Sequence, residues 1–148
     1  MAFLSGDRLT ASRANHIQPV PYGPAICDAS LTRTNTTYAD ISGCSITFTT
    51  ETDLAVVVAH AVFDCAVGTA SATTDMNGAI AVDGVQEAVI AKHQMDNLDR
   101  DSVSAVSRFT IAAPGSHTVK LQGALSAAAG SGTFQVFTHL IVTVYEIP

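Results

Sequence analysis

The chain has 148 residues, enough for one domain with a substantial core, and its 14% charged and 47% apolar residues exclude a disordered chain. The net charge is −6, and the seven Lys and Arg residues are scattered, so the basic footprint of a nucleic-acid binder is missing. No stretch reaches the ~18 apolar residues of a membrane span; "LAVVVAHAVF" is broken by His60 and soon ends at Asp64.

Residues 1–26 read as an extended N-terminal docking arm ahead of a body at 27–148. "MAFLSGDRLTASRANH" has no apolar stretch of the kind that marks a secretory leader. "RLTASRANH" suits a short helical turn. In "QPVPYGPAI", Pro19, Pro21 and Pro24 remove backbone donors and favour extended geometry. The arm sets Arg8 and Arg13 against Asp7, a net +1, and the remainder has 5 basic and 12 acidic residues, a net −7. The residues expected to dock the arm on a partner are Arg8, Arg13, Pro19, Pro21, Tyr22 and Pro24.

From residue 27 the hydrophobic pattern has a period of two, punctuated by turns. "ASLTRTNTTYADI" predicts a strand pair around Leu31 and Tyr38 with Asn35 at its turn. In "CSITFTT", Cys44, Ile46 and Phe48 point inward and Ser45, Thr47 and Thr49 outward. "DLAVVVAHAVFDCAV" predicts a long strand over 53–67. Asp83-Gly84 in "AIAVDGVQEAVIAK" marks a tight hairpin, because both residues tolerate positive φ. "HQMDNLDRDS" is the one body segment suited to a helical turn. "SVSAVSRFTIAA" and "HTVKLQGAL" are two further strands, and "SAAAGSGT" is a small-residue loop. "FQVFTHLIVTVYEI" reads as one final strand.

These eight to ten strands predict an all-β fold, an antiparallel β-sandwich of jelly-roll type. A sandwich strand needs one apolar face, yet the final strand has two. Phe134, Val136, Leu140, Val142 and Val144 share one face. Phe137, His139, Ile141, Tyr145 and Ile147 lie on the other. Continuous apolar strands belong where both faces are covered, so the second set is expected to pack on a symmetry mate; the alternative is that the arm folds back over it.

"GSHTVKLQ", followed by the small-residue loop and "LIVTVYEI", resembles the last strands of compact trimeric jelly rolls of the tumour-necrosis-factor and complement-C1q type, and of related trimeric domains on phage virions. "MAFLSGDRLTASRANHIQPV" resembles the start of many tailed-phage virion proteins. "TYADISGCSITFTTETDLAVVV" is similar to a "TY-x-DI-x-G-x-S-x-TFTT" stretch in such proteins. The resemblance implies a homotrimeric virion accessory protein made in the host cytoplasm: a capsid decoration protein, a head fibre or a small tail component. The implied partner is the major capsid protein or a neighbouring virion protein. A receptor-binding tip that holds a host-surface sugar is the alternative, with Tyr22 and Tyr38 as aromatic candidates.

No catalytic motif accompanies these features. His16, His60, His93, His117 and His139 do not form an HExxH pair, and no G-x-S-x-G elbow or phosphate loop is present. His139 and His60 read as interface or core histidines. His93, Asp96, Asp99 and Asp101 could supply oxygen ligands to an ion, but without the pattern of a calcium loop they read as a solvated turn. Cys27, Cys44 and Cys65 are odd in number and lack CxxC spacing, which points to buried free thiols. The sequence predicts no enzyme, no cofactor, no metal, no nucleic acid and no membrane partner.

Overall fold

The computed structural model describes residues 18–147. Ten strands follow one another: β1 (Val20–Ile26), β2 (Leu31–Arg33), β3 (Ala39–Thr50), β4 (Ala55–Thr69), β5 (Asp75–Val82), β6 (Val85–Gln94), β7 (Arg100–Ile111), β8 (Gly115–Leu125), β9 (Ser131–Phe134) and β10 (His139–Glu146). The strands pair antiparallel throughout, and no helix occurs among the described residues. The expected antiparallel β-sandwich is what forms: one sheet has four strands in the order β3-β8-β5-β6, and the other has six.

The six-stranded sheet is organised by β4. One edge of β4 pairs with β7 along Ala55–Ala66. Its other edge pairs first with β10, over Ala55–Val62, and then with β9, from Cys65 onward. β1 lies beyond β10, and β2 beyond β9. The principal pairings are nested: β5 with β6, β4 with β7, β3 with β8, and β1 with β10. Successive nested pairs alternate between the two sheets.

Local chemistry accounts for several of these elements. Asp83 and Gly84 have φ of 49° and 84°, and Val82 pairs with Val85 across them, a two-residue hairpin turn. In β3, Cys44, Ile46 and Phe48 are buried and the residues between them are exposed. The core closes around Phe63 from β4 and Phe134 from β9, whose rings meet edge to face at 6.0 Å. Both rings press on glycines of the opposite sheet. A Cβ on Gly78 would lie 2.5 Å from Phe63, and one on Gly123 would lie 2.3 Å from Phe134.

Four expectations change. Val20–Ile26 is a strand of the sandwich, paired with β10, so that part of the expected arm belongs to the body. Leu31 and Tyr38 do not sit in one hairpin: β2 pairs with β9, and the strand after Tyr38 pairs with β8. The last strand is two, β9 and β10, joined by a turn at 135–138 that leaves Val136 exposed rather than buried. "HQMDNLDRDS" forms no helix: it ends β6, bends, and begins β7, with Met95 buried. The turn expected in "RLTASRANH" lies outside the described residues.

Candidate functional site

The register of β10, β4 and β7 assembles one broad outward face. Tyr145 lies opposite Val56, which lies opposite Thr110. The next rows are Thr143–Val58–Arg108, Ile141–His60–Val106 and His139–Val62–Ser104. On β1, Ile26 stands opposite His139. Ile26 is 54% exposed, Val106 52%, Tyr145 39% and Ile141 38%. Strands about 4.8 Å apart and residues about 3.3 Å long give the four-strand face an area of roughly 500 Å². Its exposed apolar side chains, Ile26, Val106, Ile141 and Tyr145, are interspersed with Ser104, Arg108, Thr110 and Thr143.

At one end the face rises into a groove of about 290 Å³ lined by Pro24, Ile26, Phe137, His139 and Ile141. Phe137 is 69% exposed, but its segment is firmly held. The Asp64 carboxylate is 3% exposed and accepts two hydrogen bonds from the Arg100 guanidinium, at 2.8 and 2.6 Å. That guanidinium lies over the Phe137 ring, 5.5 Å from its centre. Asp64 N–H donates to Thr138 Oγ1 at 3.1 Å, and Gln135 N–H donates to Asp64 O at 2.8 Å. Thr138 O in turn accepts from Cys27 N–H at 2.9 Å. Phe137 O faces His139 Nδ1 at 2.9 Å. An exposed aromatic anchored in this way resembles the rigid, pre-organised residues that dominate binding interfaces.

No protein family and no curated protein matches the chain. The solved structures that resemble it in part include two at low identity. One is a family GH115 4-O-methyl-α-glucuronidase with specificity for decorated arabinogalactans, at 11% identity and a TM-score of 0.41, covering 100% of this chain and 19% of that one. The other is a structure of infectious bursal disease virus, Gx strain, at 12% identity and a TM-score of 0.35, covering 88% of this chain and 37% of that one. The chain therefore spans well under two thirds of either.

Of the residues expected at a subunit contact, His139, Ile141 and Tyr145 share one side of β10 and Phe137 stands in the turn before it; Ile147 is half-buried at the far end, with its N–H on Leu54 O at 2.9 Å. β1 adds to the edge of β10 and does not cover this face. Among the arm residues, Arg8 and Arg13 lie outside the described residues. Pro19 precedes β1, and Pro21 and Pro24 lie along it. Tyr22 is half-buried, with its ring 5.6 Å from that of Phe48. Tyr38 is half-buried, and burial raises its hydroxyl pKa above the usual value.

Two histidines pair elsewhere. His93 Nε2 meets Asp99 Oδ1 at 3.1 Å, and no group of three or more His, Cys, Asp or Glu residues is placed to hold a metal among the described residues. His117 Nδ1 meets Asp83 Oδ2 at 2.8 Å, and Thr118 N–H donates to Asp83 Oδ1 at 2.7 Å. Partial burial pushes the Asp83 pKa up, but these hydrogen bonds and the His117 charge outweigh it and leave the carboxyl below its ordinary value. All three cysteines are buried and free, as their number and spacing predicted. Burial pushes the Cys44 and Cys65 thiols up to about 12.

Asp64, Arg100 and Thr138 escaped the sequence reading. Their one visible signal is a carboxylate, Asp64, inside the apolar run "AVFDCAV". A buried charge in such a run needs a partner.

Proposed function

We propose that the chain is a non-enzymatic structural protein of a tailed-phage virion, a trimeric capsid decoration protein whose N-terminal residues dock on the assembled shell. The observation that carries the proposal is the exposed apolar sheet face with Phe137 clamped at its rim. The nested strand pairs, alternating between two antiparallel sheets, support the jelly-roll part of this reading. The virion assignment and the number three rest on the resemblance of "MAFLSGDRLTASRANHIQPV", "TYADISGCSITFTTETDLAVVV" and the last strands to phage virion proteins.

The occupant of the face is a second copy of the chain. The face of roughly 500 Å², extended by Phe137 and Leu54 at its ends, approaches the ~600 Å² per partner at the lower bound of specific interfaces. Edge-to-edge pairing at β1 is hindered, because Pro21 and Pro24 lack donors. A trimer bound to the assembled shell and not to its free components stabilises that shell by mass action.

The test is the native mass of the full chain at pH 7.5, followed by co-sedimentation with empty shells. The expected wild-type mass is that of a trimer. Ile141→Asp buries an unpaired charge and is expected to give a folded monomer. Removal of residues 1–17 is expected to preserve the trimer and abolish co-sedimentation. A monomeric wild type, or an Ile141→Asp variant of unchanged mass, removes the face from self-association.

A further inference from the structure

We propose that Cys27 and Cys44 are a disulfide-forming pair, joined by exchange with a small-molecule disulfide such as oxidised glutathione, and that the bond staples the two sheets together where β1 meets β3. The inference does not depend on the second-copy reading. β1 is an edge of the six-stranded sheet and β3 an edge of the four-stranded one. Their inward side chains meet in series. The Tyr22 and Phe48 rings are 5.6 Å apart. Ile46 Cδ1 lies 2.9 Å from the place a Cβ on Gly23 would take. Beyond β1 the two backbones touch: Asp28 N–H donates to Ser42 O at 3.2 Å, and Ala29 forms a bridge with Ser42. Two residues from that bridge, one on each segment, stand Cys27 and Cys44, both buried.

Three observations place this pair side by side. A Cβ on Gly43 would lie 2.3 Å from Ile26 O and 2.8 Å from Asp28 N, the atoms that flank Cys27. Cys27 N–H and the Cys44 thiol both donate to Thr138 O, at 2.9 and 3.4 Å. The Cys44 thiol is pushed up to about 12 by burial first and then by the Cys27 thiol. Facing residues of antiparallel segments lie ~4.5–5.5 Å apart at Cα, inside the ~4.4–6.8 Å that a disulfide spans. Cys27 Sγ donates to Ala29 O at 3.3 Å, a weak bond that rotation about χ1 breaks. Cys65 lies elsewhere, opposite Phe134 and Asp101, and the charges acting on its thiol are those of Asp64 and Asp101.

The exchange has two steps. The Cys27 thiolate attacks one sulfur of oxidised glutathione and releases one reduced glutathione. The Cys44 thiolate then attacks the Cys27 sulfur of the mixed disulfide, the Cys27–Cys44 bond forms, and the second reduced glutathione leaves. The two thiol protons pass to the two glutathione thiolates, so two protein thiols are oxidised and one small disulfide is reduced. Burial keeps both thiols protonated in the native state, so exchange proceeds as the chain folds or when the edge strand β1 opens. Closing a loop of this length raises the folding equilibrium constant by on the order of 100-fold. By linkage, the folded chain favours the bond over the unfolded chain by the same factor.

In the experiment, the full chain, reduced and unfolded in urea, is diluted into reduced and oxidised glutathione at pH 8; free thiols are then alkylated and counted by intact mass. The expected product has the circular dichroism of the reduced native protein, a Cys27–Cys44 linked peptide, and Cys65 alone alkylated. Cys27→Ala and Cys44→Ala are each expected to keep both remaining thiols free. In urea that holds the chain unfolded, the same buffer is expected to give an oxidised-to-reduced ratio on the order of 100-fold lower. Three alkylated thiols after refolding, a bond to Cys65, or equal pairing in folded and unfolded chains overturns the proposal. An oxidised protein that unfolds at the same or lower urea concentration than the reduced one overturns the staple.

Discussion

Replacement of Arg100 by alanine leaves the Asp64 carboxylate, 3% exposed, without the two hydrogen bonds that hold it. Breaking a buried ion pair from one side costs about 3–5 kcal/mol. The Arg100 side chain is itself 50% exposed, so water enters the vacated space and the cost falls at the low end of that range. Loss of the cation over Phe137 adds about 0.5–1 kcal/mol. The expected destabilisation is therefore about 3–4 kcal/mol, which for a chain of this size lowers the melting temperature by roughly 10 °C. Urea denaturation and thermal melts of a monomeric background such as Ile141→Asp measure it free of assembly. Asp64→Asn placed on top of Arg100→Ala removes the stranded charge and is expected to recover part of the loss. An Arg100→Ala variant within about 1 kcal/mol of its parent refutes the clamp, as does a double variant less stable than Arg100→Ala alone.

Gly123→Ala drives a methyl group to 2.3 Å from the Phe134 ring, where there is no room for it, and is expected to cost at least about 1–3 kcal/mol by urea denaturation, partly relieved by Phe134→Leu. Cys44 and Cys65, fully buried with thiols pushed up to about 12, are expected to resist an aromatic disulfide reagent at pH 8 in the native protein; rapid labelling of either under native conditions contradicts their burial. Asp83 has a folded pKa below the ordinary carboxyl value, so its contribution to stability is present above the unfolded pKa of about 4 and is lost as the pH falls through the lower folded value. The group is half exposed, which limits the effect to less than about 1 kcal/mol. Asp83→Asn is accordingly expected to show a smaller stability drop between pH 6 and pH 3 than the wild type.

Much of the sandwich was legible because its signals are local. "CSITFTT" alternates, and its three inward residues are the buried ones. Asp83-Gly84 specifies the positive φ angles of a two-residue turn, and the hairpin follows. The errors share one physical origin, which is that local chemistry marks where a chain bends and not which strand it next joins. "RTNTTY" bends at Asn35, whose side chain accepts from Thr37 N–H at 3.2 Å, but the chain leaves one sheet there and enters the other. The break at 135–138 carries no Gly, Pro, Asn or Asp. It is set instead by bonds to Asp64 and Cys27, partners remote in the sequence.

The candidate face divides along the same line. Period-two alternation in "HLIVTVYEI" states that Ile141 and Tyr145 point away from the core. It says nothing of Val106, which joins them only because β7 and β10 flank the same strand. Nor does it place Ile26 beside His139, since that neighbour comes from a segment that reads as an arm. Exposure alone would leave these side chains as scattered surface hydrophobics of the kind most proteins carry. Cross-strand register makes them contiguous, and the Asp64–Arg100 pair adds a rigid aromatic rim. On the proposed second-copy reading, the fixed position of Phe137, 69% exposed, has a use, because the ordering cost is then met during folding and not during assembly.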